Sequence, residues 1–195
     1  MRGQDRKPTK KPGSVRIIGG EWRGRRLSVP DIEGLRPSGD RSRETLFNWL
    51  QPFLHRARCA DLFAGTGVLG LEAVSRGAAS VVLVERSHQA AAAILDSIAV
   101  LGATGRASVV EADALSWLAN QPAASIDLVF VDPPFASALA EPAMQALAQG
   151  PWLRRGGLAY LESAEPDAGP LAGPGWEILK EKRLGEVRMQ LCRKV

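Results

Sequence analysis

The chain has 195 residues, 45% hydrophobic and 24% charged, the mix of an ordinary globular protein of one domain with room for a small appendage. Two cysteines without CxxC or Cys/His spacing exclude a disulfide framework and a zinc module, no apolar run approaches the ~18 residues of a membrane span, and the basic N-terminus lacks a secretory signal's apolar stretch, so a reducing, cytoplasmic setting is expected. The net charge of +4 is uneven: residues 1–45 carry 12 Lys/Arg against 6 Asp/Glu and residues 46–195 carry 13 against 15, which directs a polyanionic partner to the N-terminal end.

Residues 1–14 are rich in Lys, Arg, Pro and Gly with almost no apolar side chains, and read as a disordered basic arm. Val15-Arg-Ile-Ile-Gly-Gly20 and Arg25-Arg-Leu-Ser-Val29 predict a short hairpin carrying Arg16, Trp22, Arg23, Arg25 and Arg26. Cations interleaved with an aromatic suit phosphates and an unstacked base; the plainer alternative is an edge hairpin whose charges block aggregation. Gly34-Leu-Arg-Pro-Ser-Gly39 is a loop, and Asp40 is placed to cap the helix after it. Leu46, Trp49, Leu50, Phe53 and Leu54 recur at helical spacing as one apolar stripe. Arg36, Arg41 and Arg43 lie before or in the first turn of that helix, where its dipole opposes cations, so their placement asks for an anionic partner.

From Arg58 onward strands and helices alternate. Strands are predicted over Cys59–Phe63, Ser80–Glu85, Ser108–Glu111, Ile126–Val131 and Leu158–Glu162. Helices are predicted over Val68–Arg76, Gln89–Leu101, Leu115–Asn120 and Leu139–Gln149, with Gly77 and Gly102 as left-handed caps after two of them. Right-handed crossovers then give a doubly wound, mostly parallel sheet, closed by a hairpin over Trp176–Arg183 and Glu186–Arg193.

Chemistry-bearing residues stand at the carboxyl ends of the strands, where open α/β sheets bind ligands. The first strand runs into Asp61-Leu-Phe-Ala-Gly65-Thr-Gly67-Val-Leu-Gly70, a glycine turn that lets backbone approach a ligand. Glu85 ends the second strand, 20 positions after Gly65, where a carboxylate accepts both hydroxyls of a ribose. Asp113 follows the third and can accept from an adenine amino group. These signals define an adenosine-containing cofactor without saying which one. After the fourth strand comes Asp132-Pro-Pro-Phe135, expected to face the glycine turn across the switch point. Two prolines remove two N–H donors and leave an acceptor rim. The Asp132 carboxylate and Pro133 carbonyl can each take one hydrogen of a planar –NH2 group, with Phe135 stacking on the ring that bears it.

Asp61–Gly70, Glu85, Asp113 and Asp132-Pro-Pro-Phe135 resemble the motif set of S-adenosylmethionine-dependent amino-methyltransferases. The stretches VRIIGGEWRGRRL, GLRPSGDRSRETLFNWL, DLFAGTGVLGLEA and VFVDPPF resemble the bacterial 16S rRNA guanine-N2 methyltransferase family of the RsmD type, over about residues 15–195. The basic arm is extra, and Ser38-Gly39 stands where two hydroxyl residues are expected. The resemblance implies a Rossmann-like methyltransferase fold: a mostly parallel seven-stranded sheet, helices on both faces, and a small N-terminal hairpin and helix extension. It implies a division into the arm (1–14), an RNA-binding extension (15–54) and an S-adenosylmethionine-dependent domain (55–195). The cofactor would be held by Asp61, Phe63, Ala64, Gly65, Thr66, Gly67, Glu85, Asp113 and Ala114, with Asp61 near its ammonium. Asp132, Pro133, Pro134 and Phe135 would hold the target guanine, and Arg16, Trp22, Arg23, Arg25, Arg26, Arg36, Arg41 and Arg43 the rRNA.

The expected protein is a monomer without metal, acting on 16S rRNA within a small-subunit particle or precursor. The rivals are a DNA or other RNA amino-methyltransferase, a catalytically dead RNA-binding module and a nicotinamide oxidoreductase. His55 and His88 read as surface residues, Cys59 and Cys192 as buried free thiols on strands that are not neighbours, and Trp152 and Trp176 as packing.

Overall fold

The computed structural model describes residues 13–32, 39–134, 137–163 and 172–195. The expectations placed on residues 1–12, Arg36, Ser38 and Phe135 lie outside these. Each predicted strand and helix is present. The N-terminal hairpin is β1 (Gly13–Arg16) and β2 (Arg26–Val29), followed by helix α1 (Asp40–Leu50); Gly13 and Ser14, expected in the disordered arm, pair instead with Val29 and Ser28. Then come β3 (Arg58–Asp61), α2 (Val68–Ser75), β4 (Ser80–Glu85), α3 (His88–Leu101), β5 (Ala107–Glu111), α4 (Ala114–Leu118), β6 (Ile126–Val131), α5 (Ala140–Gln149), β7 (Leu153–Ser163), β8 (Trp176–Leu184) and β9 (Val187–Lys194).

The main sheet has seven strands in the order β5-β4-β3-β6-β7-β9-β8. The first five run parallel, and β9 is antiparallel to both β7 and β8. The order reverses between β3 and β6, which pair directly from Cys59↔Leu128 to Asp61↔Phe130. Alternation along the strands separates two cores. Cys59, Leu128, Phe130, Leu158 and Tyr160 face α1, α2, α3 and the N-terminal hairpin. Ala60, Val129, Val131, Ala159 and Leu161 face α4 and α5. The fold is therefore a Rossmann-like, mostly parallel seven-stranded sheet with helices on both faces, as expected. Cys59 and Cys192 are buried free thiols on non-adjacent strands, and burial pushes both up to about 12.

The extension does not hang from this sheet; Val15, Ile17, Trp22, Leu27, Leu46, Phe47 and Leu50 belong to the same core as β3 and β6. Its backbone docks on the carbonyl and hydroxyl of Ser75 at the end of α2. The Glu21 N–H donates to the Ser75 carbonyl (2.8 Å), the Trp22 N–H to Ser75 Oγ (2.9 Å), and Ser75 Oγ to the Gly19 carbonyl (2.7 Å). Gly20 has φ +81°, and a Cβ built there would lie 1.9 Å from the Ser75 oxygen, so the approach requires glycine.

Two local expectations for α1 are corrected. Its N-cap is Gly39, and Asp40 is the first helical residue; its carboxylate pairs instead with Arg43 (2.6 Å) and Arg16 (3.1 Å). The buried stripe runs through Leu46, Phe47 and Leu50, while Phe53 is 40% exposed past the helix end. Arg43, expected to meet RNA, is 1% exposed. It donates through Nη1 to Glu72 Oε2 (2.8 Å) and to the Arg16 carbonyl (2.8 Å), and Glu72 Oε1 accepts from Arg76 (2.7 Å). A guanidinium one turn into a helix can point inward when a buried carboxylate waits there, a partner that charge patterning cannot show.

Removing one member of a fully buried ion pair leaves an uncompensated charge, at a cost of about 3–5 kcal/mol. Arg43→Ala is therefore expected to lower unfolding stability by that amount in urea titrations. Exposed Arg41→Ala, two residues away, is expected to change it by no more than about 0.5 kcal/mol.

Candidate active site

At the carboxyl edge of the sheet, a cavity of about 940 Å3 opens over the β3/β6 switch point. It lies at the upper end of the range for small-molecule pockets, with room for more than one ligand group. One side is the glycine turn after β3. Gly65 and Gly67 have φ +55° and +75°, and Gly67 caps α2. A Cβ on Gly70 would press on Leu83 Cδ2 at 2.7 Å and Val81 Cγ2 at 2.9 Å, so the third glycine serves close packing of helix on strand. Glu85 clamps the turn: its Oε2 accepts from the Gly65 N–H (2.8 Å) and its Oε1 from the Ser87 N–H (2.7 Å). The spacing of 20 residues thus has a structural use beyond any ribose.

Asp61, Phe63, Ala64, Gly65, Thr66, Glu85, Asp113 and Ala114 all line the cavity. Gly67 shapes the turn from behind, against Ile94. Asp113 caps α4 with one oxygen, accepting from the Ser116 N–H at 2.9 Å, and that bond holds its carboxyl below the usual range. Asp61 is fully buried, and neither carboxylate oxygen has a hydrogen-bond partner among the described residues. Burial and the neighbouring Asp132 charge, with Glu85 adding to them, push it up to about 7; the N–H groups of Gly70 and Phe63 pull the other way without closing a hydrogen bond.

The opposite side is the corner after β6. Asp132, Pro133 and Pro134 line the same cavity as the glycine turn. The Pro134 carbonyl is taken by the Ser137 N–H (2.8 Å) and hydroxyl (2.7 Å). The Pro133 carbonyl accepts from no group among the described residues. The rim thus presents acceptors and no N–H donor at its two prolines.

Several lining residues were not singled out in the sequence. Gly39 and Ser42 come from the start of α1, beside Arg41, which was expected to meet RNA and lines the cavity too; Leu184, Gly185 and Val187 come from the β8–β9 turn, and Glu162 from the end of β7. Glu162 did carry a signal, since it ends an apolar strand as Glu85 does. Among the described residues no group of three or more His, Cys, Asp or Glu could hold a metal, and no helix is long and apolar enough to cross a membrane.

The cationic set divides. Arg23, Arg25, Arg26, Arg16 and Arg41 are exposed. Arg25 donates to the Val100 carbonyl (2.9 Å) and Arg26 to Ser14 Oγ (2.8 Å), which spreads the charges over the hairpin surface. Trp22 is a correction: it is 5% exposed, sits in the core, and its ring is covered by the Arg106 guanidinium at 4.9 Å. A hairpin this small needs one large side chain to anchor it, and a ring so covered has no free face for a base. Arg43 is the buried strut described above.

Fold and site together define a class, a Rossmann-like S-adenosylmethionine-dependent methyltransferase. The family model described as Conserved hypothetical protein 95 matches residues 15–193. Ribosomal RNA small subunit methyltransferase D of Escherichia coli K12 is 45% identical over 182 residues, spanning 93% of this chain and 91% of that one. The Haemophilus influenzae protein of the same name is 44% identical over 183 residues, 92% and 93% of the two chains. A solved Escherichia coli structure, that of YhhF, superposes with a TM-score of 0.84 at 42% identity, covering 93% and 98%. The chain belongs to this family, and the resemblance to the RsmD type holds.

Asp61 yields a prediction of its own. A carboxyl whose folded pKa is raised from 3.8 to about 7 binds more protons folded than unfolded between those values, so stability is expected to fall as pH rises through that window. The full effect is on the order of 4 kcal/mol. Urea unfolding of the protein between pH 5 and 8 is expected to show the decline, and Asp61→Asn to remove about half of it, the rest belonging to Glu162, which burial also pushes up to about 7.

Proposed function

We propose that the protein transfers the methyl group of S-adenosylmethionine to the exocyclic N2 amine of a guanine in 16S, small-subunit ribosomal RNA. The observation that carries this reading is that one cavity joins the glycine turn to the acceptor corner of Asp132 and Pro133. The names of the E. coli and H. influenzae relatives point to the same substrate class.

The residues fit the cofactor. Asp61 is a buried carboxylate without a hydrogen-bond partner among the described residues, an arrangement that costs free energy until a cation or donor arrives; the ammonium of the cofactor's methionine end would satisfy it. Glu85 would take the ribose hydroxyls while keeping the Gly65 and Ser87 N–H bonds, and Asp113 would take the adenine amine with its remaining acceptor capacity. Phe63, Ala64, Gly65, Thr66 and Ala114 would wall the space, with Gly67 holding the turn. The same feature disfavours a nicotinamide dinucleotide, whose pyrophosphate would meet the Asp61 carboxylate at the glycine turn.

When bound, the cofactor supplies an activated methyl on a sulfonium. The protein's residues supply position. An exocyclic amine is a weak nucleophile because its lone pair is delocalised into the ring. N–H bonds to the Asp132 carboxylate and Pro133 carbonyl would fix the amine, favour its pyramidal form and stabilise the positive charge that develops on nitrogen. Pro134 stiffens the corner, and Phe135 would stack on the base. The proton becomes acidic only as the new N–C bond forms, so Asp132 can accept it or pass it to water. A base enters such a pocket unstacked, more readily from a loop than from a duplex. Arg16, Arg23, Arg25, Arg26 and Arg41, with Arg36, would hold the surrounding phosphates, and the small-subunit particle or its precursor is the natural substrate. The protein would act as a monomer in the cytoplasm.

Incubation of unmodified small-subunit RNA and particles with labelled cofactor, followed by nucleoside mass spectrometry, is expected to find N2-methylguanine. Asp132→Ala is expected to lower kcat by about 10^3-fold or more while leaving cofactor affinity within a few-fold; retained turnover with lost cofactor binding would reject its role. Charge reversal at Arg23, Arg25 and Arg26 is expected to raise KM for RNA, spare kcat and lessen the salt dependence of binding.

A further inference from the structure

Asp132 and Pro133 account for one amine but leave the rest of the target's hydrogen-bonding edge unread. Glu162 stands beside them. Val131 pairs with Leu161 at the end of β6 and β7, so the next step of the register sets Asp132 alongside Glu162. Strand alternation then puts both side chains on the face of Phe130 and Tyr160, whose rings meet edge to face at 6.5 Å. Glu162 is 4% exposed and lines the cavity.

Its carboxylate is held from one side. The Tyr160 hydroxyl donates to Oε2 at 2.5 Å and fixes the orientation, while Oε1 has no partner among the described residues. Among the described residues the neighbouring charge is Asp132, another carboxylate, so no cation among them accounts for the burial of Glu162. An acidic side chain kept this dry, oriented by a tyrosine and aimed into a ligand cavity calls for a hydrogen-bond donor on the ligand. Guanine carries such a donor, N1–H, next to its N2 amine. Adenine presents an unprotonated N1 there, which would face the carboxylate lone pair to lone pair.

We propose that Glu162 is a specificity-determining residue that accepts the N1–H of the target guanine through Oε1 while Asp132 and Pro133 hold N2, and that Tyr160 is the residue that positions it. This rests on the guanine-N2 reading above. A site built to bond a particular donor rejects an analogue lacking it far more strongly than shape alone can.

The test is an RNA substrate carrying 2,6-diaminopurine at the target position, which keeps the 2-amino group but has an acceptor at N1. The native enzyme is expected to prefer guanine by at least about 100-fold in kcat/KM. In Glu162→Gln the Tyr160 hydroxyl would still donate to the side-chain oxygen, turning the amide N–H toward N1. Guanine is then expected to lose and diaminopurine to gain, bringing the preference within about tenfold or reversing it, with cofactor affinity unchanged. Tyr160→Phe is expected to narrow the preference in part. A guanine-to-diaminopurine ratio in Glu162→Gln equal to that of the native enzyme would overturn the proposal; should that variant fail to fold, equal rates of the native enzyme on the two substrates would do so. Methylation of the natural RNA at any site other than guanine N2 would overturn the functional reading and this proposal together, whereas N2-methylguanine with an unchanged ratio overturns the Glu162 role alone.

Discussion

Glu72 has no contact with solvent, and the N-terminal half of the molecule is arranged around it. Its two oxygens accept from Arg43 on α1, from Arg76 at the end of α2 and from the Ile18 N–H after β1. A buried carboxylate is tolerated only when charge and hydrogen bonds close around it. Here the groups that close it come from three separate stretches of chain, so satisfying one side chain fixes the hairpin, α1 and α2 against one another. Because α2 begins at the glycine turn and α1 begins at the cavity rim, the same closure sets the distance between the glycine turn and that rim.

The cavity shows the opposite economy. Asp61, Asp132 and Glu162 lie on one face at the ends of adjacent strands, and Asp61 has no hydrogen-bond partner among the described residues. Such crowding of like charge is unfavourable until ligands bring cations and donors, and it reads as stability surrendered locally for binding. The core above, with Phe47, Phe130 and Tyr160 in ring contact, supplies the rigidity that keeps these carboxylates in place.

Much of this was legible in the sequence because strand and helix periods alternate cleanly from residue 58 and because ligand-binding residues stand at strand ends. The cofactor side and the Asp132 corner were placed on one cavity by that logic alone. What was not legible depends on which way a side chain turns. Arg43 and Trp22 look like RNA-binding residues in a basic stretch, yet each is buried by a partner far away in sequence, Glu72 and Arg106. Glu162 is the converse, a functional candidate that passes for the last residue of an apolar strand. Asp40 looks like a helix cap, but the electrostatic pull of Arg16 and Arg43 engages its carboxylate instead.

The meeting of Gly20 with Ser75 has an evolutionary corollary. Recognition elements that sit on linkers can be traded between enzymes by splicing, because nothing beyond the joint need match. Here the backbone of the hairpin is nested into the tail of a helix that opens on the glycine turn, with no space for a single methyl between them. A hairpin transplanted from a divergent homologue would have to arrive with its own matching residues at 72, 75 and 76. Changes in target preference within this lineage should accordingly proceed by point replacement on the exposed surface of the hairpin, not by exchange of the whole element.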